Sequence, residues 1–378
     1  MKHAVIAGYA RSPFTLAKKG DLARVRPDDL AAQTVRGLLE RVPVDPADLE
    51  DLIVGCAFPE GEQGFNVARM IDFLADLPIS VAGTTVNRFC GSSMQAIHMA
   101  AGAIRMNAGE AFLCAGVESM TRIPMGGYNP LPNPVLFERY PQAFASMGET
   151  AENLARKYDI PRRRQEEFAV ESQRKAAAAQ AAGRLDAEIV PIGGNGGRVE
   201  RDGCLRPDTT LEGLAELKLA FDEHGTVTAG TASPLTDGAS ATLVCSEDYA
   251  EQKGLKPLAR IKSIAVSGCQ PEVMGLGPVL STRKALERAG LALDDMDLIE
   301  LNEAFSSQSL AVIEELGMDE SKINLDGGAI ALGHPLGATG ARITGKAAAL
   351  LAREGGRYAL ATQCIGGGQG IATVLEAM

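Results

Sequence analysis

A shift of 246 residues lays one part of this chain onto another. It places Asp48, Asp51, Leu52 and Ile53 on Asp294, Asp297, Leu298 and Ile299. In the same register it places Gly91, Ile97, Ala101, Ala103 and Gly109 on Gly337, Ile343, Ala347, Ala349 and Gly355. Upstream, Leu39-Glu40-Arg41 meets Leu286-Glu287-Arg288 at a shift of 247, a slip that a loop absorbs. One register held across a strand, a turn and a helix implies two homologous halves, each a unit that buries its apolar face against the other.

Each half alternates strand and helix. Residues 2–10 read as a strand, 28–41 as an amphipathic helix and Leu52-Ile53-Val54 as a second strand. A strand before Cys90, a helix after it and a strand at 111–115 continue the rhythm, so a largely parallel sheet covered by helices is expected. At 378 residues the chain exceeds one simple core, which suits a double unit. With 46% hydrophobic and 22% charged residues it reads as globular. No run of about 18 apolar residues offers a membrane span, and the first residues reach charge too soon for a signal peptide. The net charge of −11 argues against nucleic acid as a partner. Seven cysteines without a C-x-x-C pair fit neither a disulfide framework nor a zinc site. No metal is expected, and a reducing compartment follows, the cytoplasm or an organelle matrix.

In such a compartment a cysteine remains a working thiol. Thr84-Thr85-Val86-Asn87-Arg88-Phe89-Cys90-Gly91-Ser92-Ser93-Met94 is a β-branched run that turns at Cys90 into a helix carrying Met94, Ile97, Ala101 and Ile104. A helix N-terminus carries about half a positive charge, which favours thiolate and can hold a developing oxyanion. By itself the stretch also suits a packed cysteine, because free cysteine is among the most buried residue types. His98, eight residues on, reads as packed rather than catalytic.

The second half adds Asn302-Glu303-Ala304-Phe305, the stretch Gly327–Gly340 around Gly333-His334-Pro335, and Cys364-Ile365-Gly366-Gly367-Gly368, each after an expected strand. The shift puts Leu336 at the position of Cys90, so His334 lies near the matching turn. Ligands of doubly wound α/β units gather at the carboxyl ends of strands, where Cys90, Asn302, His334 and Cys364 all fall. A thiol to attack a carbonyl, an imidazole to move a proton, a second thiol and flexible glycine N–H groups make a set for acyl transfer. Taken singly, His334 before a proline, the glycine runs and Asn302 also suit ordinary turns.

Between the halves the texture changes. Residues 119–146 carry Pro124, Pro130, Pro132, Pro134 and Pro141 and read as an ordered irregular loop. Gln165–Ala182 reads as a helix ending at Gly183, and Gly193-Gly194-Asn195-Gly196-Gly197 as a flexible turn. An insertion of this length suits a lid or ligand-binding subdomain.

These motifs resemble the thiolase family over essentially the whole chain. The matching segments are Val86–Ser93, Asn302–Phe305, the glycine-rich stretch around His334 and Cys364–Gly368. The resemblance implies an α/β fold with a duplicated, five-layered αβαβα core and an inserted loop domain that binds coenzyme A. The corresponding boundaries are 1–118 with 235–257 for the first half, 119–234 for the loop domain and 258–378 for the second half. It implies Cys90 as the acyl-accepting nucleophile and His334 as the base that activates it and later the coenzyme A thiol. Cys364 is the implied general acid and base. One oxyanion hole would use His334 and a water held by Asn302, the other the backbone N–H groups of Cys90 and Gly366. Thr226–Ser233 matches the pantetheine-binding stretch, which brings Ala229, Gly230 and Ser233 to the coenzyme, and Met147, Phe305 and Arg206 are further implied contacts. Arg206 also suits a solvated surface charge.

Biosynthetic acetoacetyl-CoA thiolases carry histidine before the Met-Gly seen here as Met147-Gly148, and this chain has Ser146. Glu62–Asn66 and Lys322–Leu325 also look like the degradative 3-ketoacyl-CoA enzymes, so cleavage of 3-ketoacyl-CoA to acetyl-CoA and a shortened acyl-CoA is the expected activity. The alternatives are condensation to acetoacetyl-CoA, a thiolase-like acyl-CoA-binding protein without turnover, and a ketoacyl synthase. Both cysteines with His334 argue against the last two. Coenzyme A and acyl-CoA are the expected ligands, with no permanently bound cofactor. A homodimer or homotetramer is the expected assembly, with hydratase and dehydrogenase enzymes as candidate partners.

Overall fold

The computed structural model describes residues 2–194 and 197–378. The first half supplies strands β1 (Ala4–Arg11), β2 (Asp51–Gly55), β3 (Ala82–Val86), β4 (Ala111–Ser119) and β5 (Thr236–Ser246). The second supplies β6 (Ala259–Gly268), β7 (Leu298–Leu301), β8 (Tyr358–Ile365) and β9 (Gln369–Glu376). Their order is β3-β2-β4-β5-β1 in the first half and β7-β8-β9-β6 in the second, where Ile323 bridges in parallel to Ile299 at the place of a missing third strand. The two orders are the same order. They join where β1 pairs antiparallel with β6 through Val5 with Arg260 and Ile6 with Ala259.

The sheet is mixed, which corrects the expectation of a largely parallel one. β2, β3 and β4 run parallel, as do β7 and β8, but β4 with β5, β5 with β1, β8 with β9 and β9 with β6 are antiparallel. The cause is local at β8 and β9: only Gly366-Gly367-Gly368 separates them, and a connection that short makes a hairpin, not a crossover. Gly367 and Gly368 take φ of +76° and +78°, open to glycine without strain.

Helices complete five layers. Helices α1 (Pro27–Leu39) and α2 (Val67–Leu74) cover the outer face of the first sheet, where Leu30, Val35, Leu38, Val67 and Ile71 meet Leu52, Val54, Leu113 and Leu243. Helices α3 (Ser92–Arg105) and α8 (Leu336–Glu354) lie between the sheets, with Met94, Ile97, Ile104, Ile343 and Leu351 in one core with Ile53, Phe112, Ile365 and Ile371. Helices α6 (Gly277–Ala289) and α7 (Ser306–Leu316) cover the second sheet. The two central helices approach closely because Gly340 lacks a side chain: a Cβ there would run into Met94.

The stretch between β4 and β5 holds α4 (Met147–Lys157) and α5 (Arg162–Ala181). The loop 119–146 is less irregular than expected, since Pro134 starts a short helix, Pro134–Arg139, and Pro141 a 3-10 turn. Strands Ile192–Gly194 and Gly197–Val199 pair antiparallel, and Asn195 and Gly196 of the expected glycine turn lie outside the described residues. Among the described residues no helix is long and apolar enough to cross a membrane.

Candidate active site

Cys90 lies between β3 and α3, two residues before the first helical residue. Phe89 holds φ at +42°, unusual for a non-glycine residue and the mark of a sharp, strained turn. The turn is braced locally. Asn87 Oδ1 accepts from Phe89 N–H at 2.8 Å and Asn87 Nδ2 donates to Ala57 C=O at 3.0 Å. Ser92 Oγ accepts from Arg88 N–H and donates to Phe89 C=O. Cys90 then packs against a small apolar cluster of Ala57, Met120 and Leu336, which includes its own counterpart under the internal shift.

His334 sits on the turn before α8, 4% exposed. Its Nδ1 is 2.6 Å from Thr339 Oγ1, and that hydroxyl is 3.1 Å from Pro335 C=O. The hydroxyl has one proton; given to Pro335, it leaves an acceptor for Nδ1–H and keeps the lone pair on Nε2. Asn302 Nδ2 is 3.5 Å from that Nε2, and Asn302 Oδ1 is buried without a partner among the described residues. Glu303 sets the approach to His334 by accepting from Ser172 Oγ, Asn324 Nδ2 and Ile330 N–H.

Cys364 is 1% exposed and packs with Phe305, Val227, Met274 and Ala151. It is the next-to-last residue of β8 rather than following the strand, a small correction. Gly366 follows in the glycine turn, next to Phe89, the residue before Cys90. Burial pushes the Cys90 thiol up to about 12, against the pull of the Gly366 N–H and with the Glu118 carboxylate adding to the rise. The expected lowering by the helix N-terminus is thus outweighed at rest. Burial raises the Cys364 thiol well above its ordinary value, and Cys90 adds to the rise. Burial likewise pulls the His334 imidazole down to about 3, and the positive Arg342 acts in the same sense. At rest, burial thus favours the neutral forms of both the Cys90 thiol and the His334 imidazole.

The expected coenzyme contacts divide. Ala232 bridges to Phe305, Ser233 N–H donates to Ala304 C=O at 3.0 Å, and Phe305 meets Phe221 edge-on at 5.8 Å. Met147 is placed beside Gly366. This draws Met147, Ser233 and Phe305 to the Cys364 side. Gly230 is buried on Leu214 and Leu217, and Ala229 is exposed. Arg206 is exposed, its N–H held by Gln173 Oε1. His98 is buried, bonded to Thr373 Oγ1 at 2.9 Å. Sequence reasoning singled out neither Thr339 nor Glu118. Glu118 accepts from Ala57 N–H, Gln63 Nε2 and Gly337 N–H, pinning the α8 N-terminus to the first half. The shift places it on Cys364, the one signal that pointed to it.

Comparison with known proteins agrees with this geometry. The thiolase N-terminal domain matches residues 4–248 and the thiolase C-terminal domain residues 255–377. Proteins named 3-ketoacyl-CoA thiolase from Idiomarina loihiensis and Bacillus subtilis are 49% and 47% identical to it, each aligned over all of both chains. One of the same name from Aliivibrio fischeri is 50% identical, also end to end. A repeated strand order and matches to both domains along nearly the full length place this chain in the thiolase family.

Proposed function

We propose that this chain cleaves 3-ketoacyl-CoA with coenzyme A, giving acetyl-CoA and an acyl-CoA two carbons shorter. The observation that carries the reading is the His334 imidazole, whose Nδ1 faces Thr339 Oγ1 and whose Nε2 keeps its lone pair 3.5 Å from Asn302 Nδ2, with the Cys90 carbonyl tied by Gln363 to the strand that leads into the glycine turn.

Cys90 passes its proton to His334 Nε2 as its sulfur attacks the 3-keto carbon. The oxyanion formed there is held by the N–H groups of Cys90 and Gly366. Its collapse breaks the C2–C3 bond. Acetyl-CoA leaves as an enolate, its oxygen facing His334 Nε2–H and a water on Asn302, and Cys364 protonates its carbon. Coenzyme A then gives its thiol proton to the site and takes the acyl group from Cys90. Run backwards, the steps make a Claisen condensation.

The same reading assigns 1–118 with 235–257 and 258–378 to the two halves and 119–234 to the coenzyme-binding loop domain. There Ser233, Ala229, Gly230, Met147 and Phe305 line the pantetheine path and Arg206 meets the charged end of the coenzyme. It calls for no permanently bound cofactor and a homodimer or homotetramer, for which the half-open edge strand β3 with exposed Phe65 and Ile79 offers a surface. It places the protein in the cytoplasm, supplied by enzymes that hydrate and oxidise enoyl-CoA.

Ser146 supports the longer substrate. It caps α4, with its Oγ accepting from Glu149 N–H and its N–H donating to Glu149 Oε2, so no bulky ring stands at this position. The test is thiolysis kcat/KM for acetoacetyl-CoA against a medium-chain 3-ketoacyl-CoA, with Cys90→Ala as blank. Preference for the longer substrate is expected. Cleavage of acetoacetyl-CoA alone would make the protein an acetoacetyl-CoA thiolase, and cleavage of neither would favour an acyl-CoA-binding protein.

A further inference from the structure

The Gly366 N–H can serve the Cys90 sulfur only if the glycine turn is held, and glycine turns hold themselves poorly. Two glutamines and an arginine span the gap between the halves here. Arg88, two residues before Cys90, donates through Nη1 to Gln369 Oε1 at 2.8 Å and through Nε to Gln95 Oε1 at 2.9 Å. Gln369, the first residue of β9, turns its other amide atom back, and Nε2 donates to Gly366 C=O at 3.3 Å. From β8, Gln363 Nε2 donates to Cys90 C=O. The nucleophile turn and the glycine turn are thus tied twice, once through the Cys90 carbonyl and once through Gly366.

We propose that Arg88 and Gln369 form a relay between the two halves that sets the angle of Gly366 against the Cys90 sulfur, making both positioning residues for acylation and for transfer to coenzyme A. Arg88 orients the Gln369 amide so that its N–H2 group, not its oxygen, faces Gly366. Gln95 fixes the guanidinium from α3. Neither side chain touches the reacting atoms. Their contribution is geometric, and a displacement of about 1 Å at a catalytic group costs on the order of a hundredfold in rate.

The inference rests on Cys90 being the acyl acceptor, so wild-type acylation by 3-ketoacyl-CoA is scored alongside. Arg88→Met, Gln369→Met, the double variant and Arg88→Lys are compared in the full-length protein for thiolysis, for thermal midpoint and for the pH profile of Cys90 alkylation by iodoacetamide. Each single Met variant is expected to lower kcat about ten- to a hundredfold with KM for coenzyme A within about twofold. Alkylation shifts to higher pH as the Gly366 N–H leaves the sulfur. The double variant is no worse than the worse single one, as members of one chain require, and Arg88→Lys recovers part of the loss. Variants that fold with wild-type kcat and alkylation profile overturn the relay while Cys90 acylation stands. Losses that multiply in the double variant also overturn it, and an unacylated wild-type Cys90 overturns the relay and the functional reading together. Should a Met variant fail to fold, Gln369→Glu decides alone: its carboxylate still accepts from Arg88 but has no N–H for Gly366 C=O, and an unaltered alkylation profile and kcat would refute the relay.

Discussion

His334 Nδ1 stands 2.6 Å from Thr339 Oγ1, and both belong to one short stretch of chain running from the turn into α8. The helix therefore carries its own tautomer control: Thr339, donating to Pro335 C=O, accepts the hydrogen bond from Nδ1–H and so keeps the lone pair on Nε2. Thr339→Val keeps the shape and removes the acceptor. Thiolysis kcat should fall about ten- to a hundredfold, the range typical for a lost partner that orients a working histidine. Thr339→Ser should stay near wild type, and steady-state kinetics of the two variants decide.

The resting protonation states make a second prediction. Burial holds the His334 imidazole down to about 3 and the Cys90 thiol up to about 12. Raising pH through the ordinary imidazole range therefore changes the charge of neither group, and the base is already free at pH 6. kcat/KM for 3-ketoacyl-CoA reports the free enzyme. It should be flat from about pH 6 to 7, without an acid limb near the free imidazole value of about 6.5.

Asp326 bears on stability. Burial works to raise its carboxyl, but Arg353, Lys346 and Arg184 pull it far below the usual carboxylate range. Its folded value thus lies below its unfolded one, so its stabilisation is present above about pH 4 and is lost as pH falls below it. Asp326→Asn should lower stability at pH 7 by about 3 kcal/mol, since Lys346, 4% exposed, loses a partner at 2.7 Å. It should also flatten the fall in thermal midpoint between pH 5 and pH 3.

Gly340 tests the central layer. A methyl group there meets Met94 on the facing helix, in a core without room to yield. Gly340→Ala should cost about 1–3 kcal/mol, read as a lower unfolding midpoint. The gain in helix propensity, at most about 1 kcal/mol, does not offset it.

Much of this was legible in the sequence. Gly91 on Gly337 and Leu298 on Leu52 announced the duplication, and the repeated strand order is its physical form. Cys90, His334 and Cys364 stood out because thiols, imidazoles and glycine runs are chemically conspicuous. Strand direction did not stand out: alternation of strand and helix looks alike for parallel and mixed sheets, and only the three-residue gap before Gln369 betrays the hairpin. Nor did Thr339, Glu118 or Gln369. Glu118 and Gln369 work through partners far along the chain, Gly337 and Arg88, and Thr339 through a hydroxyl whose orientation on His334 and Pro335 only the folded turn fixes.

The most direct test of the account is a single turnover without coenzyme A. Mixed with a medium-chain 3-ketoacyl-CoA, the wild-type protein should release about one equivalent of acetyl-CoA, and peptide mass spectrometry should find the shortened acyl group on Cys90. Release of acetyl-CoA with the acyl group on any other residue, or no release at all, would contradict it.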